Sequence, residues 1–516
     1  MANFQLFNTA RKKLPVGDTF NACGAAAYKL SPEHELTQLV MTGCLNNTFY
    51  ADAQDQLDAV LILADDIAPE YIAKLAIYSR KYGFMKDMPA LLLAILASRK
   101  PELLPKVFNQ VIDNGRMLRN FVQIIRSGVT GRMSLGSCPK KLVQAWLNHA
   151  SEIQLLQAAV GNKPSLADII KMVHPKPVEI WREAFFAWVI KKPYNFDDLP
   201  PQTQTLLRYK DNRSIVMPNV PFQLLTNMDL TTNQWALVAK NMGWHALRMN
   251  LNTLNRHGVF ASRKDVQLIA NKLADEKLIR QSKVYPYQLL TTYIATKGAV
   301  PQVIENALHH ALEVSLANVP ELKSNVVVCP DVSGSMYSPV TGYRQDATTV
   351  TRCIDVAALL AAAVLRKNKR AKLIPFEYIT LDIDLNPYDP ILENAQKLAS
   401  IGGGGTNCSA PLARLVNQKA VVDTVIMISD NESWVDMHRH GATETMVQWE
   451  KLKGFNPNAK LICIDIQPYS TTQAKQQQDI LNIGGFSDVI FDVIAQFANE
   501  ATDLSHWINT INDIRI

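Results

Sequence analysis

Paired cysteines are missing from this sequence. Its seven cysteines are scattered, and none forms a C-x-x-C pair, which argues for reduced thiols in a cytosolic setting rather than a disulfide framework. Long apolar runs are missing as well. The longest, Ala90 to Ala97 and Val356 to Leu365, are far too short to cross a bilayer. No apolar signal core follows Met1, and Arg11-Lys12-Lys13 lies too far inside to flank one. No Ser-His-Asp, paired-carboxylate or Walker pattern stands out. These absences set the expectation of a soluble, cytoplasmic protein with no membrane partner and no catalytic site.

What is present is ample core material. The hydrophobic fraction is 47% and the charged fraction 19%, values of a globular chain. At 516 residues, two or three domains are expected. The net charge of +6 hides a division. Residues 1–320 hold 36 Lys+Arg against 25 Asp+Glu, so 36 − 25 = +11; residues 321–516 hold 17 against 22, so 17 − 22 = −5. A basic module fused to a mildly acidic one places any polyanion on the first; a helical domain with excess surface lysine would look the same.

The hydropathy pattern changes at the same point. Residues 1–20 read as a polar, irregular arm packing against something distant. From about Ala25 to Leu316 apolar residues recur at helical spacing, as in Tyr71-Ile72 with Leu75-Ala76, and Leu118 with Val122 and Ile125. Pro or Gly breaks the pattern repeatedly, which predicts antiparallel helices stacked like HEAT repeats. Further helices are expected over Lys140–Ala150, Leu166–Met172, Pro177–Ile190, Thr232–Leu247 and Arg263–Ile279. After Pro320, buried-strand runs at Asn325–Val328, Leu373–Phe376, Val425–Ser429 and Leu461–Ile466 alternate with helical segments. Those helices are expected at Val350–Arg366, Ile391–Ser400, Ala410–Ala420, Glu444–Lys453 and Gln473–Asn482, with a last strand and helix in Gly485–Phe497. Such alternation builds a doubly wound parallel sheet. The expected domains are therefore 1–320, all-α, and 321–516, α/β.

Three oxygen-rich segments occupy places where that sheet would gather ligands, at the carboxyl ends of its strands. Asp331, Ser333 and Ser335 alternate on a loop after the first strand; Gly402 to Gly405 lead to Thr406; Asp430 follows Val425–Ser429. Small hard oxygens suit a divalent cation such as Mg²⁺. The five match the metal-ion-dependent adhesion site of von Willebrand factor A modules. Glu432 is either a water-bridged helper or a plain surface acid. His438 and His440 read as surface, and His309-His310 as structural.

A helical array followed by such a module resembles the Ro autoantigen family, in which a TROVE module precedes a von Willebrand factor A module. The wording carrying the likeness is Asp331-Val332-Ser333-Gly334-Ser335-Met336, Gly404-Gly405-Thr406-Asn407-Cys408-Ser409 and Asp430-Asn431-Glu432-Ser433-Trp434. In the helical part it is Pro139-Lys140-Lys141-Leu142-Val143, Lys171 to Pro177, and Pro286-Tyr287-Gln288-Leu289-Leu290. The resemblance implies a ring of HEAT-like helices closed by the A module. It implies binding of small noncoding Y-like RNA on the outer basic surface and of single-stranded 3′ ends of structured or misfolded RNA through the hole. For bacterial relatives it implies a partnership with a 3′→5′ exoribonuclease in RNA decay and maturation.

For RNA contact, the densest basic stretch is Arg116, Arg119, Arg126, Arg132, Lys140 and Lys141, with no acid between the first and the last. The alternative is a solvated helical face. By analogy with the family, His174, flanked by Lys171 and Lys176, touches RNA at the rim; a capping role is the alternative. Vertebrate members carry a basic pair shortly before this position, whereas this chain has Gln157 to Gly161 there, so a vertebrate-type pose is not expected to transfer unchanged. Three functions follow: a noncatalytic RNA-binding scaffold, a metal-dependent protein-binding adaptor, and a metal-dependent ribonuclease. The last is disfavoured because the site has too few acids to clamp two metals.

Overall fold

The computed structural model describes residues 14–516 except 44, 213–215, 227, 317–318, 320, 323–324, 344–350, 437–440, 486–489 and 500–505. Arg11 to Lys13, Cys44, Val350, His438 and His440 therefore lie outside the described residues. The chain divides into two compact units. One comprises residues 1–57 and 318–508, the other 58–317 and 509–516.

The second unit is helical, as its apolar spacing dictates. Its successive helices include Pro69–Lys81, Asp87–Arg99, Leu104–Val111, Gly115–Arg126, Ser137–His149, Glu152–Ala158 and Leu166–Val173. Several begin where a polar side chain or proline can satisfy or replace free amides. Asn114 accepts from the Met117 amide at 3.0 Å. Ser151 with Gln154 and Ser165 with Asp168 form reciprocal capping boxes. Two expected helices are each broken in two. Thr232–Leu247 becomes Thr232–Asn241 and Trp244–Met249, with Gly243 starting the second piece. Arg263–Ile279 becomes Arg263–Leu273 and Glu276–Ser282, because the Asp275 carboxylate caps a new start, accepting from Leu278 N at 3.0 Å.

The helix Gly115–Arg126 buries Met117, Leu118, Phe121, Val122 and Ile125 on one side, and Phe121 meets Phe108 edge-on at 5.3 Å. Phe121→Ala is expected to cost about 3–5 kcal/mol, since a cavity replaces a fully buried ring; urea unfolding measures it. Within the same unit, the turn at Gly83–Lys86 meets residues near the far end of the array. The Tyr285 hydroxyl donates to the Gly83 carbonyl, and Lys283 Nζ lies 5.3 Å from the Phe84 ring centre.

The first unit holds the eight described strands: β1 (Thr19–Phe20), β2 (Ala26–Lys29), β3 (Val326–Pro330), β4 (Lys372–Leu373), β5 (Thr424–Ser429), β6 (Lys460–Asp465), β7 (Thr471–Thr472) and β8 (Ile480–Gly484). A parallel sheet runs β4-β3-β5-β6-β8. Strands β3, β5 and β8 are buried along their whole length, as strands covered on both faces must be. The chain leaves β3 for β4 on one side and returns to β5 on the other. The gap between β3 and β5 is thus a topological switch point, where open α/β sheets place ligands.

Two expectations fail in this unit. Residues from Ala25 do not begin a helix: β2 pairs antiparallel with β1 and β7, and Tyr28 enters the core with Val327, Phe376 and Trp449. Gln473–Asn482 is not a helix either. Its side chains bond across the segment, Asn482 Nδ2 to the Ala474 carbonyl at 3.0 Å and Thr472 Oγ1 to Asn482 Oδ1 at 2.7 Å, and Ile480–Gly484 joins the sheet. The last strand therefore precedes Gly485, and the helix Ile490–Asn499 follows. The tail contains a further helix, His506–Asn512.

Candidate cation and nucleic-acid sites

Strand β3 delivers Asp331 and strand β5 delivers Asp430 to the carboxyl end of the sheet, on either side of the switch point. The Asp331 amide donates to the Ile428 carbonyl at 2.9 Å, which locks the two strand ends together. Asp331 Oδ1 accepts from the Ser333 amide at 2.8 Å, and Oδ2 accepts from the Ser429 hydroxyl at 2.5 Å. The hydroxyls of Ser333 and Ser335 are 3.4 Å apart. The glycine loop closes over them: the Gly334 amide donates to the Gly404 carbonyl, and the Gly403 amide to the Val332 carbonyl, both at 2.8 Å. Glycine is needed here, since Gly402 has φ +87 and a Cβ on it would lie 2.3 Å from the Val332 carbonyl oxygen. Thr406 sits on this loop, its carbonyl accepting from the Trp434 amide at 3.0 Å.

All five predicted oxygen donors are buried. Burial pushes Asp331 up to about 6, partly offset by its serine partners. Burial and the charge of Asp331 push Asp430 up to about 7, while the Ser335 hydroxyl pulls the other way. Two like charges in a low-dielectric place call for a cation, and among the described residues neither acid has an ion-pair partner. No three His, Cys, Asp or Glu side chains group as a metal site among the described residues, so any cation here would be held by two carboxylates and three hydroxyls. That donor set fits a hard divalent ion that keeps some of its waters.

Glu432 is not a surface acid. It is 1% exposed, is pushed up to about 8 by burial and by Asp430, and accepts from the Ala22 amide at 2.8 Å. The N-terminal segment thus packs behind the site. Spacing in the sequence misses Glu377, just beyond β4. Its Oε2 accepts from the Gly404 amide at 2.7 Å.

The nine residues predicted to touch RNA separate into three groups. Arg116, Arg126, Lys141, Lys171, His174 and Lys176 are exposed or half-exposed. Arg126 and Lys171, on different helices, both lie close enough to Asp168 to stabilise its charge. Lys141 lies on the helix Ser137–His149, whose Gln144 donates to the Val173 carbonyl at 2.5 Å. Lys140 is half-buried. Arg119 and Arg132 instead turn their guanidinium groups inward, Arg119 to the Val160 carbonyl and Arg132 to the Ala97 carbonyl. His174 caps its helix with φ 52, its amide donating to the Ile170 carbonyl at 3.0 Å, while its side chain stays exposed. His309 packs edge-on against Tyr293, in keeping with a structural role.

A second basic group has no contiguous sequence signature. Lys86 is crowded by Arg116, Arg80 and Arg248; burial and these neighbours hold its ammonium below the usual range. Arg248 is itself buried, donating to the Gln288 carbonyl at 2.7 Å, and burial lowers it to about 10. These residues converge only through the tertiary packing of Gly83–Lys86.

Comparison with known proteins agrees with this architecture. The TROVE domain matches residues 218–399 and the Ro60 vWA domain residues 325–498. RNA-binding protein RO60 of Deinococcus radiodurans is 24% identical over 519 residues, covering 93% of this chain and 94% of the relative. RNA-binding protein RO60 of Caenorhabditis elegans is 22% identical over 362 residues, covering 64% of this chain and 55% of the relative. The crystal structure of the Deinococcus radiodurans RO (RSR) protein has the same fold: TM-score 0.60 at 21% identity, covering 92% of this chain and all 100% of that one. The chain thus matches a TROVE domain followed by a Ro60-type von Willebrand factor A domain, and over nearly its whole length it is similar to a Ro protein.

Proposed function

We propose that the protein is a noncatalytic RNA-binding scaffold of the Ro type. It holds a small Y-like noncoding RNA and single-stranded 3′ ends of structured or misfolded RNA, and presents RNA to a 3′→5′ exoribonuclease for quality control or decay. The observation carrying this reading is the set of exposed cations Arg126, Lys141 and Lys171 on packed helices, with exposed Lys176 in the segment just after the last of them, together with RNA-binding relatives. Phosphates need such cations, and RNA single strands need accessible planes and donors beside them. The test is a gel-shift comparison of one hairpin RNA with and without a free 3′ tail. Tighter binding of the tailed form, with the RNA left intact in Mg²⁺, is expected. Equal affinity removes the 3′-end role, and cleavage overturns the noncatalytic reading.

A second reading concerns the A module. Its cation site takes a divalent ion, with Mg²⁺ the best match to small hard oxygens, and seats a protein partner. The exposed Trp434, whose amide holds the Thr406 carbonyl, and exposed Tyr378, whose carbonyl accepts from Asn407, favour it. Exposed aromatics beside a polar site are common anchors for partners.

A further inference from the structure

We propose that the turn at residues 83–86 and the start of the helix after it form a seat for a phosphate group, with Lys86 and Arg116 as its accessible cations and Arg248 as its buried one. The seat stands apart from the RNA reading above. Of the nine residues predicted to touch RNA it uses Arg116 alone, and neither proposal requires the other.

Hydrogen bonds fix this turn on three sides. From the helix Pro69–Lys81, Arg80 donates to the Met85 carbonyl at 3.0 Å and grips both carboxylate oxygens of Asp113, at 2.8 and 2.9 Å. On the second side, Asp87 Oδ1 accepts from Asn120 Nδ2 at 2.6 Å. Arg116 precedes Asn120 by one helical turn and shares its face of Gly115–Arg126, so Lys86, between Met85 and Asp87, is held beside Arg116. On the third side, the Tyr285 hydroxyl donates to the Gly83 carbonyl, and the Tyr285 amide donates to Gln288 Oε1 at 3.4 Å. Arg248 docks on the helix that begins there, Pro286–Thr296, donating to the Gln288 carbonyl at 2.7 Å and to the Thr292 hydroxyl.

These cations lack a counter-charge. Among the described residues, Arg80 pairs with Asp113, but Lys86, Arg116 and Arg248 make no ion pair. The acids beside the turn are taken, Asp113 by Arg80 and Asp87 by Asn120. Arg248 is only 7% exposed, and its Nε has no hydrogen-bond partner among the described residues, a costly state for a buried charged group. Lys86 and Arg116 are exposed, so an ion reaches them from solvent, and the charges of Arg116 and Arg248 both act on Lys86. The backbone adds to the pull. Lys86 is the N-cap of the helix Asp87–Arg99, and no side chain caps that helix, so its first amides leave a positive end open to an acceptor. An oxyanion answers each of these needs. Guanidinium groups match phosphate in shape as well as charge, which favours it over chloride.

The experiment uses the full chain, with inorganic phosphate as the probe against chloride at equal ionic strength, in calorimetry and in thermal unfolding. Phosphate is expected to bind the wild type and to raise its unfolding temperature. Lys86→Gln is expected to weaken that binding about 10–100-fold, the factor carried by one hydrogen bond to a charged group. Without phosphate it should unfold at the same temperature or higher, because crowded like charges are relieved. Arg116→Gln should weaken phosphate in the same direction, while replacing Lys140 and Lys141 together should leave it unchanged. A single-stranded oligoribonucleotide that displaces the bound phosphate makes this a seat for an RNA backbone; one that binds alongside it makes this a seat for free phosphate or a small phosphoester. Equal phosphate binding by wild type, Lys86→Gln and Arg116→Gln marks an adventitious ion only and overturns the seat. So does a wild type that ignores millimolar phosphate, or a Lys86→Gln protein destabilised without phosphate. Each of those results leaves the RNA reading standing, since that reading rests on Arg126, Lys141, Lys171 and Lys176.

Discussion

Raising salt from about 50 to about 200 mM is expected to weaken RNA binding steeply, by roughly 10³–10⁵-fold if six to ten phosphates are engaged on a duplex, and somewhat less on single strands. The size follows from counterion release: each phosphate neutralised by a lysine or arginine frees condensed cations, and added salt opposes their release. The exposed side chains Arg126, Lys141, Lys171 and Lys176 are the ones expected to carry this dependence. Replacing Lys140 and Lys141 together, or Arg126 and Lys171 together, should lower affinity and flatten the salt slope by about 0.7–0.9 for each phosphate no longer neutralised, without unfolding the protein. Arg119→Ala and Arg132→Ala should behave differently. Their guanidinium groups satisfy backbone carbonyls, so their removal should appear in stability before it appears in the slope. Filter binding at a series of salt concentrations, paired with urea unfolding, reads both. Binding that ignores salt would sink the scaffold reading.

The other large effect belongs to Asp331. Saturating Mg²⁺ at about a hundred times its dissociation constant should stabilise the first unit by about 2.7 kcal/mol, and Asp331→Ala should abolish that gain. Its pH dependence has a definite sign. Asp331 is pushed up to about 6 and Asp430 to about 7, above the value near 3.9 of an unfolded aspartate. Between about pH 4 and 7 the folded, cation-free protein thus binds more protons than the unfolded chain. The resulting stability is fully present below about pH 4 and is lost as pH rises through 6 and 7. A divalent cation reverses the trend, because it needs both carboxylates deprotonated; its affinity should rise across the same window. Thermal unfolding from pH 5 to 8, with Mg²⁺ and with EDTA, checks both slopes. An Asp331→Ala protein that keeps the wild-type response to Mg²⁺ would remove this residue from the site.

Much of the site was legible because its chemistry is local. Asp331, Ser333 and Ser335 lie within one loop, and a buried apolar run marks each strand that delivers an acid. Glu377 was not legible, because nothing in Phe376-Glu377-Tyr378 indicates that β4 lies beside β3. Whether Glu432 was a surface acid or a helper of the site stayed open for a similar reason: its buried partner is the Ala22 amide, 410 residues away along the chain. The segment Gln473–Asn482 misled because helical propensity is weak and a buried polar network outweighs it. Lys86, Arg116 and Arg248 form a cluster that no window of sequence contains.

The sequence by itself determined the two fold classes and the apolar faces of the helices, and it named the five candidate oxygen donors. Each is written in short-range periodicity or in one loop, where backbone geometry leaves few choices. Only the tertiary structure decided which arginines face solvent, that residues near the N-terminus complete the α/β unit, and that Glu377 holds the glycine loop through the Gly404 amide. Burial and long-range pairing set those outcomes, and both depend on every neighbour a residue meets after the chain has folded.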